Sequence, residues 1–219
     1  MSKRYKMIKA VFWDFGGVIT TSPFEAFNKF ERKHHLPQNF IRTINATNPD
    51  INAWARFERN DITLEEFDRE FERETRSAGH PIRGIKVLEL LGGNLRSEMV
   101  EALRRCHQNY RTACLTNTMN TGHGSDPQPS GKRTAEFEKV MGLFDHVIAS
   151  SNVGVRKPDP RFYEIACEIV EVAPGQVVFL DDLGINLKPA RAMGMTTIKV
   201  TDPQMAIKEL EAVLGISLS

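Results

Sequence analysis

"VFWDFGGVIT", residues 11–20, is the stretch on which the fold turns. Its first three residues are apolar and β-favouring, as a strand buried on both faces requires. Asp14 follows them directly, and two glycines come next. A carboxylate at the carboxyl end of a core strand stands where open α/β sheets bind their ligands, and glycines beyond it let backbone approach such a ligand closely. Trp13 and Asp14 point to opposite faces of that strand, which assigns Trp13 to packing.

Four further runs of the same kind accompany it. The predicted strands are "IKAVFWDF" (8–15), "YRTACLT" (110–116), "FDHVIAS" (144–150), "QVVFLDD" (176–182) and "MTTIKVT" (195–201). Helical patterns lie between them in "DPRFYEIACEIVEV" (159–172) and "INLKPARAMG" (185–194), and "DPQMAIKELEAVLG" (202–215) follows the last. A polar loop and a short helix separate the second strand from the third, and "NTGHGSDPQPSGKRTAE" (120–136) reads as a mobile loop. Strands alternating with helices predict an α/β fold, a Rossmann-like parallel sheet core.

Residues 21–95 break the alternation. No strand pattern occurs there, and "FEAFNKFERKHH", "NAWARFERN", "TLEEFDREFERET" and "IKVLELLGG" read as helices. Thr63 and Glu66 fit a capping box, and Gly92-Gly93 reads as a helix stop. The expectation is a core of residues 1–20 and 96–219 with an all-helical cap, 21–95, inserted after the first strand.

Composition excludes several classes of function. With 219 residues, 41% of them hydrophobic, the chain can bury a substantial core, and its formal net charge of +1 supplies no footprint for nucleic acid or an anionic membrane. No apolar stretch reaches membrane-spanning length, no cleavage site follows the basic start, and a cytoplasmic location is expected. Cys106, Cys114 and Cys167 lack CxxC spacing and read as reduced, buried thiols; the six histidines show no metal-ligand spacing. Arg56 and Arg59 read as a solvated helix face.

The strand ends carry the chemistry. The first ends in Asp14, the second in Thr116 and Asn117, the fourth in Asp181 and Asp182, and Lys157 follows the third. Singly, each has a plainer reading as a turn former, cap or solvated lysine. Together, three carboxylates at one sheet edge repel unless a cation neutralises them. Magnesium suits such a set, since it takes carboxylates, a carbonyl and water and holds phosphate oxygens besides. Thr116, Asn117 and the backbone amides of the turn at Gly16 and Gly17 are candidate donors to a phosphoryl group, and Asp14 beside them is a candidate nucleophile.

The set "VFWDFGGVIT", "LTNT", "RKPDP" and "FLDDLGINLKPARAMGM" resembles, in order and spacing, the four motifs of the haloacid dehalogenase superfamily. The last segment is similar to the amino-terminal phosphatase domain of soluble epoxide hydrolases, and the first to the homologous domain of acyl-CoA dehydrogenase fusion proteins. The resemblance implies a magnesium-dependent phosphatase of a small phosphorylated metabolite, acting through an aspartyl-phosphate. Asp14 would be nucleophile and metal ligand, with the Gly16 carbonyl and Asp182 as further ligands and Asp181 in direct or indirect support. Thr116 and Asn117 would bind the phosphoryl group, and Lys157 would steady it. The resemblance does not imply epoxide opening. Two other readings are a 2-haloacid dehalogenase, against which the acidic pair argues, and a weakly active phosphometabolite-binding module.

One departure stands out. Most phosphatases of this superfamily have a second aspartate two residues after the nucleophile, where this chain has Gly16. A proton donor there is typically worth about 10²- to 10⁴-fold in rate. Either the leaving group needs little protonation, or turnover is weak, or a cap residue replaces the acid; Glu25, Glu58, Asp61, His34 and His35 are the candidates.

Overall fold

The structure is a computed structural model that describes residues 7–118 and 131–218. All five predicted strands form: β1 (Ala10–Trp13), β2 (Arg111–Thr116), β3 (His146–Ala149), β4 (Val177–Asp181) and β5 (Thr196–Lys199). They make one parallel sheet in the order β3-β2-β1-β4-β5. β1 lies at the centre with every residue buried, which explains why its sequence is a continuous apolar run rather than an alternating one.

Alternation along the strands divides the core into two layers. Val11, Trp13, Cys114, Leu180 and Ile198 face α6 (Ser97–His107) and α11 (Pro203–Leu214). Phe12, Ala113, Leu115 and Phe179 face the other way, onto α9 (Pro160–Val170) and α10 (Gly184–Ala192). The mobile loop expected at 120–136 falls mostly outside the described residues; from Gly131 onward the chain is already helical, as α7 (Gly131–Met141). A single turn of helix, α8 (Ser150–Val153), follows β3.

Helices α1 (Pro23–Lys33), α2 (Phe40–Ala46), α3 (Ala53–Glu58), α4 (Leu64–Ser77) and α5 (Gly84–Leu88) fill the insert. Three of them have seven residues or fewer, too short to persist alone in water, so packing holds them. They bury an apolar cluster of their own around Phe27, Trp54, Phe57, Phe67 and Phe71, with the Phe57 and Phe67 rings stacked at 4.6 Å. Such aromatic pairs contribute about 1 kcal/mol beyond burial. The capping box at Thr63 and Glu66 is present, with bonds of 3.2 and 2.8 Å.

The two crossings into the insert lie side by side. Thr20 pairs with Leu95 in an antiparallel bridge, flanked by bonds from Thr21 N to Asn94 O and from Arg96 N to Ile19 O. The glycine pair does not stop α5, which ends four residues earlier at Leu88. Gly93 is small for another reason: a Cβ there would lie 2.6 Å from the Thr21 carbonyl oxygen, so the crossing strands could not approach.

Candidate active site

Asp14 is delivered by β1 one residue past Trp13, and its backbone N–H extends the ladder by donating to Leu180 O at 2.8 Å. The chain then turns tightly through Phe15–Ile19, where Asp14 Oδ1 accepts from Phe15 N at 2.7 Å. The two glycines of that turn are unlike. Gly17 has φ +84, and a Cβ on it would sit 2.2 Å from Asp182 Oδ2, so only glycine lets the turn lie against that carboxylate. Gly16 has φ −71 and ψ 122, with nothing near its Cβ position. A side chain would fit at 16, yet none is there.

The three carboxylates converge as expected: Asp14, Asp181 and Asp182 each present an oxygen within 4.8 Å of the others. Lys157, 1% exposed, bridges two of them, with Nζ 2.9 Å from Asp14 Oδ1 and 2.8 Å from Asp181 Oδ2. Burial alone would depress its pKa, but Asp14 and Asp181 outweigh it and hold the ammonium above its usual range. Burial pushes the Asp14 carboxyl up, against the attraction of Lys157 and with help from Asp181 and Asp182. Burial and Asp181 raise Asp182 to about 6.

The acidic pair divides its work. Asp181 is fully buried and saturated: Oδ1 accepts from Leu183 N and Asn186 Nδ2, and Oδ2 from Asn186 Nδ2 and Lys157 Nζ. Asp182 is half-buried, lines the cleft, and among the described residues takes a side-chain bond only from Ser22 Oγ, at 3.4 Å. One lysine against three carboxylates leaves the set short of positive charge. Asp14, Gly16 and Asp182 line the cleft, and the carboxylate oxygens of Asp14 and Asp182 are hard donors that fit a magnesium ion.

Thr116 ends β2 and, with Asn117, lines the same cleft. The Asn117 side chain is engaged on both sides, accepting from Lys157 N at 2.9 Å and donating to Lys157 O at 3.0 Å. It therefore clamps the lysine's backbone, which sequence alone did not reveal. Asn186, 4% exposed, also went unnoticed; the signal was an amide on the sheet-facing side of α10 next to apolar Leu187. Ser150 was missed as well: it is fully buried and its Oγ donates to Glu58 O at 2.6 Å.

Among the cap candidates for a proton donor, Glu58 alone is buried in this cleft. His34 and His35 are exposed, Asp61 is exposed and paired with Arg59, and Glu25 lines a different hollow. Arg56 pairs with Glu70 at 2.6 Å. The cleft measures about 1810 Å³, beyond the common range for ligand sites, and Phe24, Phe27, Trp54, Leu88 and Leu91 give it an apolar wall.

Comparison with known proteins bears on what this cleft does. A family model described as haloacid dehalogenase-like hydrolase matches residues 8–194. The mouse acyl-CoA dehydrogenase family member 10 is 33% identical over 96% of this chain, and pig bifunctional epoxide hydrolase 2 is 30% identical over 96%. This chain spans only 19% and 40% of those two relatives. A shorter match, 33% identical over 41% of this chain and 45% of the relative, is to the sesquiterpene phosphatase astK of Aspergillus oryzae. A haloacid dehalogenase-family enzyme of Bacteroides thetaiotaomicron, solved with magnesium and inorganic phosphate, superposes with TM-score 0.58 at 19% identity, covering 88% of this chain and 93% of that one.

Proposed function

We propose that this chain, which belongs to the haloacid dehalogenase-like hydrolase family, is a magnesium-dependent phosphatase of a phosphorylated small molecule and uses Asp14 as nucleophile. The observation that carries the reading is the convergence of Asp14, Asp181 and Asp182 on buried Lys157 at the carboxyl ends of β1 and β4. The phosphatase name of a relative supports the substrate class, and magnesium with phosphate in a neighbour of the same fold supports the cofactor.

Each residue then has a task. Asp14, oriented by Phe15 N and Lys157, attacks phosphorus and forms an aspartyl-phosphate. Lys157, fixed by Asp181 and clamped through its backbone by Asn117, offsets charge on the transferring group. Thr116 and the amides of the turn at Gly16 and Gly17 donate to phosphoryl oxygens. Asp182 and the Gly16 carbonyl, with Asp14, would hold the magnesium, which supplies charge neutralisation at the phosphoryl oxygens when bound. Asp181 orients these groups without reaching the cleft itself. The helical residues 21–95 form the cap over residues 1–20 and 96–219, and the cap's apolar wall receives the organic part of the substrate.

Release of phosphate from a panel of phosphorylated metabolites, with and without magnesium, tests this. The wild-type chain should act only with magnesium, and Asp14→Asn should remove the activity on every accepted substrate. Retained turnover in Asp14→Asn contradicts the reading.

A further inference from the structure

Position 16 has no side chain that could protonate the oxygen that leaves phosphorus, and among the described residues the insert carries one buried acid, Glu58, into the same cleft. We propose that Glu58 is the proton donor, a cap carboxyl that protonates the leaving oxygen and then takes a proton from the attacking water, a task otherwise suited to a side chain at position 16. The inference rests on the phosphatase reading and deepens it.

Glu58 ends α3, is 6% exposed, and lines the cleft with Asp14, Asn117 and Lys157. Its two oxygens stand in different surroundings. Oε1 accepts from Trp54 Nε1 at 3.0 Å, one helical turn earlier, which fixes the plane of the carboxyl. Oε2 is turned to the core, 2.7 Å from Arg156 Nε and 3.5 Å from Asn117 Nδ2. The Arg156 Nε–H is not aimed at it, and among the described residues that nitrogen finds no hydrogen-bond acceptor. Oε2 therefore accepts one long hydrogen bond, from Asn117 Nδ2, and otherwise meets the Arg156 charge.

The acid is also tied through its backbone to the chain just beyond β2. Ser150 Oγ donates to Glu58 O at 2.6 Å and accepts from Thr118 N at 3.0 Å, two residues beyond Thr116. A proton donor must be held within reach of the reacting oxygen, and these bonds hold the last residue of α3 against the end of β2. The charged groups facing Glu58 are Arg156, Lys157 and Arg59, and burial raises its pKa despite them.

The steps balance. As Asp14 Oδ bonds to phosphorus, the ester P–O bond breaks with its electron pair on the leaving oxygen, which takes the Glu58 proton. In the second half the Glu58 carboxylate takes a proton from water as the water oxygen bonds to phosphorus. The Asp14–phosphorus bond then breaks, leaving the Asp14 carboxylate, inorganic phosphate and protonated Glu58.

The test compares phenyl phosphate, whose leaving oxygen needs a proton, with p-nitrophenyl phosphate, whose leaving oxygen scarcely does, on the full chain with magnesium. Glu58→Gln keeps the size and the Trp54 bond. It should lower kcat on phenyl phosphate by about 10²-fold or more and on p-nitrophenyl phosphate by less than about tenfold. Gly16→Asp added to Glu58→Gln should restore phenyl phosphate turnover, because the position has space for a side chain. Equal losses on both esters, or none, overturn the proposal. Should Glu58→Gln fail to fold, the wild-type pH profiles decide: phenyl phosphate turnover alone should fall at alkaline pH, and matching profiles overturn it. A wild-type chain that hydrolyses neither ester while magnesium is present, nor any phosphorylated metabolite, refutes the phosphatase reading itself and the inference with it.

Discussion

Position 17 admits no side chain, whereas position 16 does, although the two glycines are neighbours in one turn. Gly17 combines a left-handed φ of +84 with a Cβ position 2.2 Å from Asp182 Oδ2. Gly17→Ala should therefore cost about 1–3 kcal/mol in stability and weaken magnesium binding by displacing Asp182. Gly16→Ala should be neutral or stabilising by up to about 1 kcal/mol, since its backbone is already compatible with alanine. Denaturant melts with and without magnesium measure both, and equal effects would contradict the distinction. Sequence marks the glycine pair as a place of close approach, but cannot tell which member is sterically obligatory. That depends on Asp182, 165 residues away along the chain, lying against only one of them.

At the scale of elements, the strands were legible because a parallel sheet covered on both faces imposes unbroken apolar runs, and β1 and β4 are buried at every residue. The insert was legible as helical, and its capping box was legible because Thr63 and Glu66 are local to each other. Helix α2 was not among the stretches the pattern picked out. It begins after left-handed Asn39, and the buried Glu31 carboxylate caps it from α1, accepting from Asn39 N and Ile41 N at 2.8 and 3.0 Å. A cap supplied from another helix leaves no local signature. The end of α5 was misjudged for a similar reason, because Gly93 answers to Thr20 and Thr21 across the crossing rather than to the helix before it.

At the scale of the molecule, the sheet order β3-β2-β1-β4-β5 sets the ends of β2, β1 and β4 side by side, with Lys157 arriving from beyond β3. The residues brought together here could be picked out in the sequence because Asp14, Thr116, Asp181 and Asp182 stand at or just past strand ends, and Lys157 follows β3. What could not be read is how residues 21–95 meet the rest of the chain, through Glu58, Arg156 and Ser150, because that depends on where those helices lie. The assembled charge also has a thermodynamic consequence. Burial and Asp181 raise the Asp182 carboxyl from 3.8 to about 6. Between those values the folded chain holds more proton there than the unfolded chain, so this group's contribution to stability falls as pH rises through the window from about 4 to about 6. Without divalent cations, Asp182→Asn should be more stable than the parent above about pH 6, with the gain fading towards about pH 4. Magnesium should raise the melting temperature of the parent more than that of the variant. Thermal melts of both chains across this range check the claim, and a difference independent of pH would contradict it.

The central claim is that Asp14 is phosphorylated during turnover. The direct measurement is to mix the chain with magnesium and a hydrolysed phosphate ester, quench in acid within a turnover, and locate the phosphoryl group by peptide mass spectrometry. The account predicts a hydroxylamine-sensitive acyl phosphate on the peptide carrying Asp14, absent in Asp14→Asn. Phosphate release in the steady state with no phosphoryl group trapped on Asp14, or with one trapped on another residue, would contradict it.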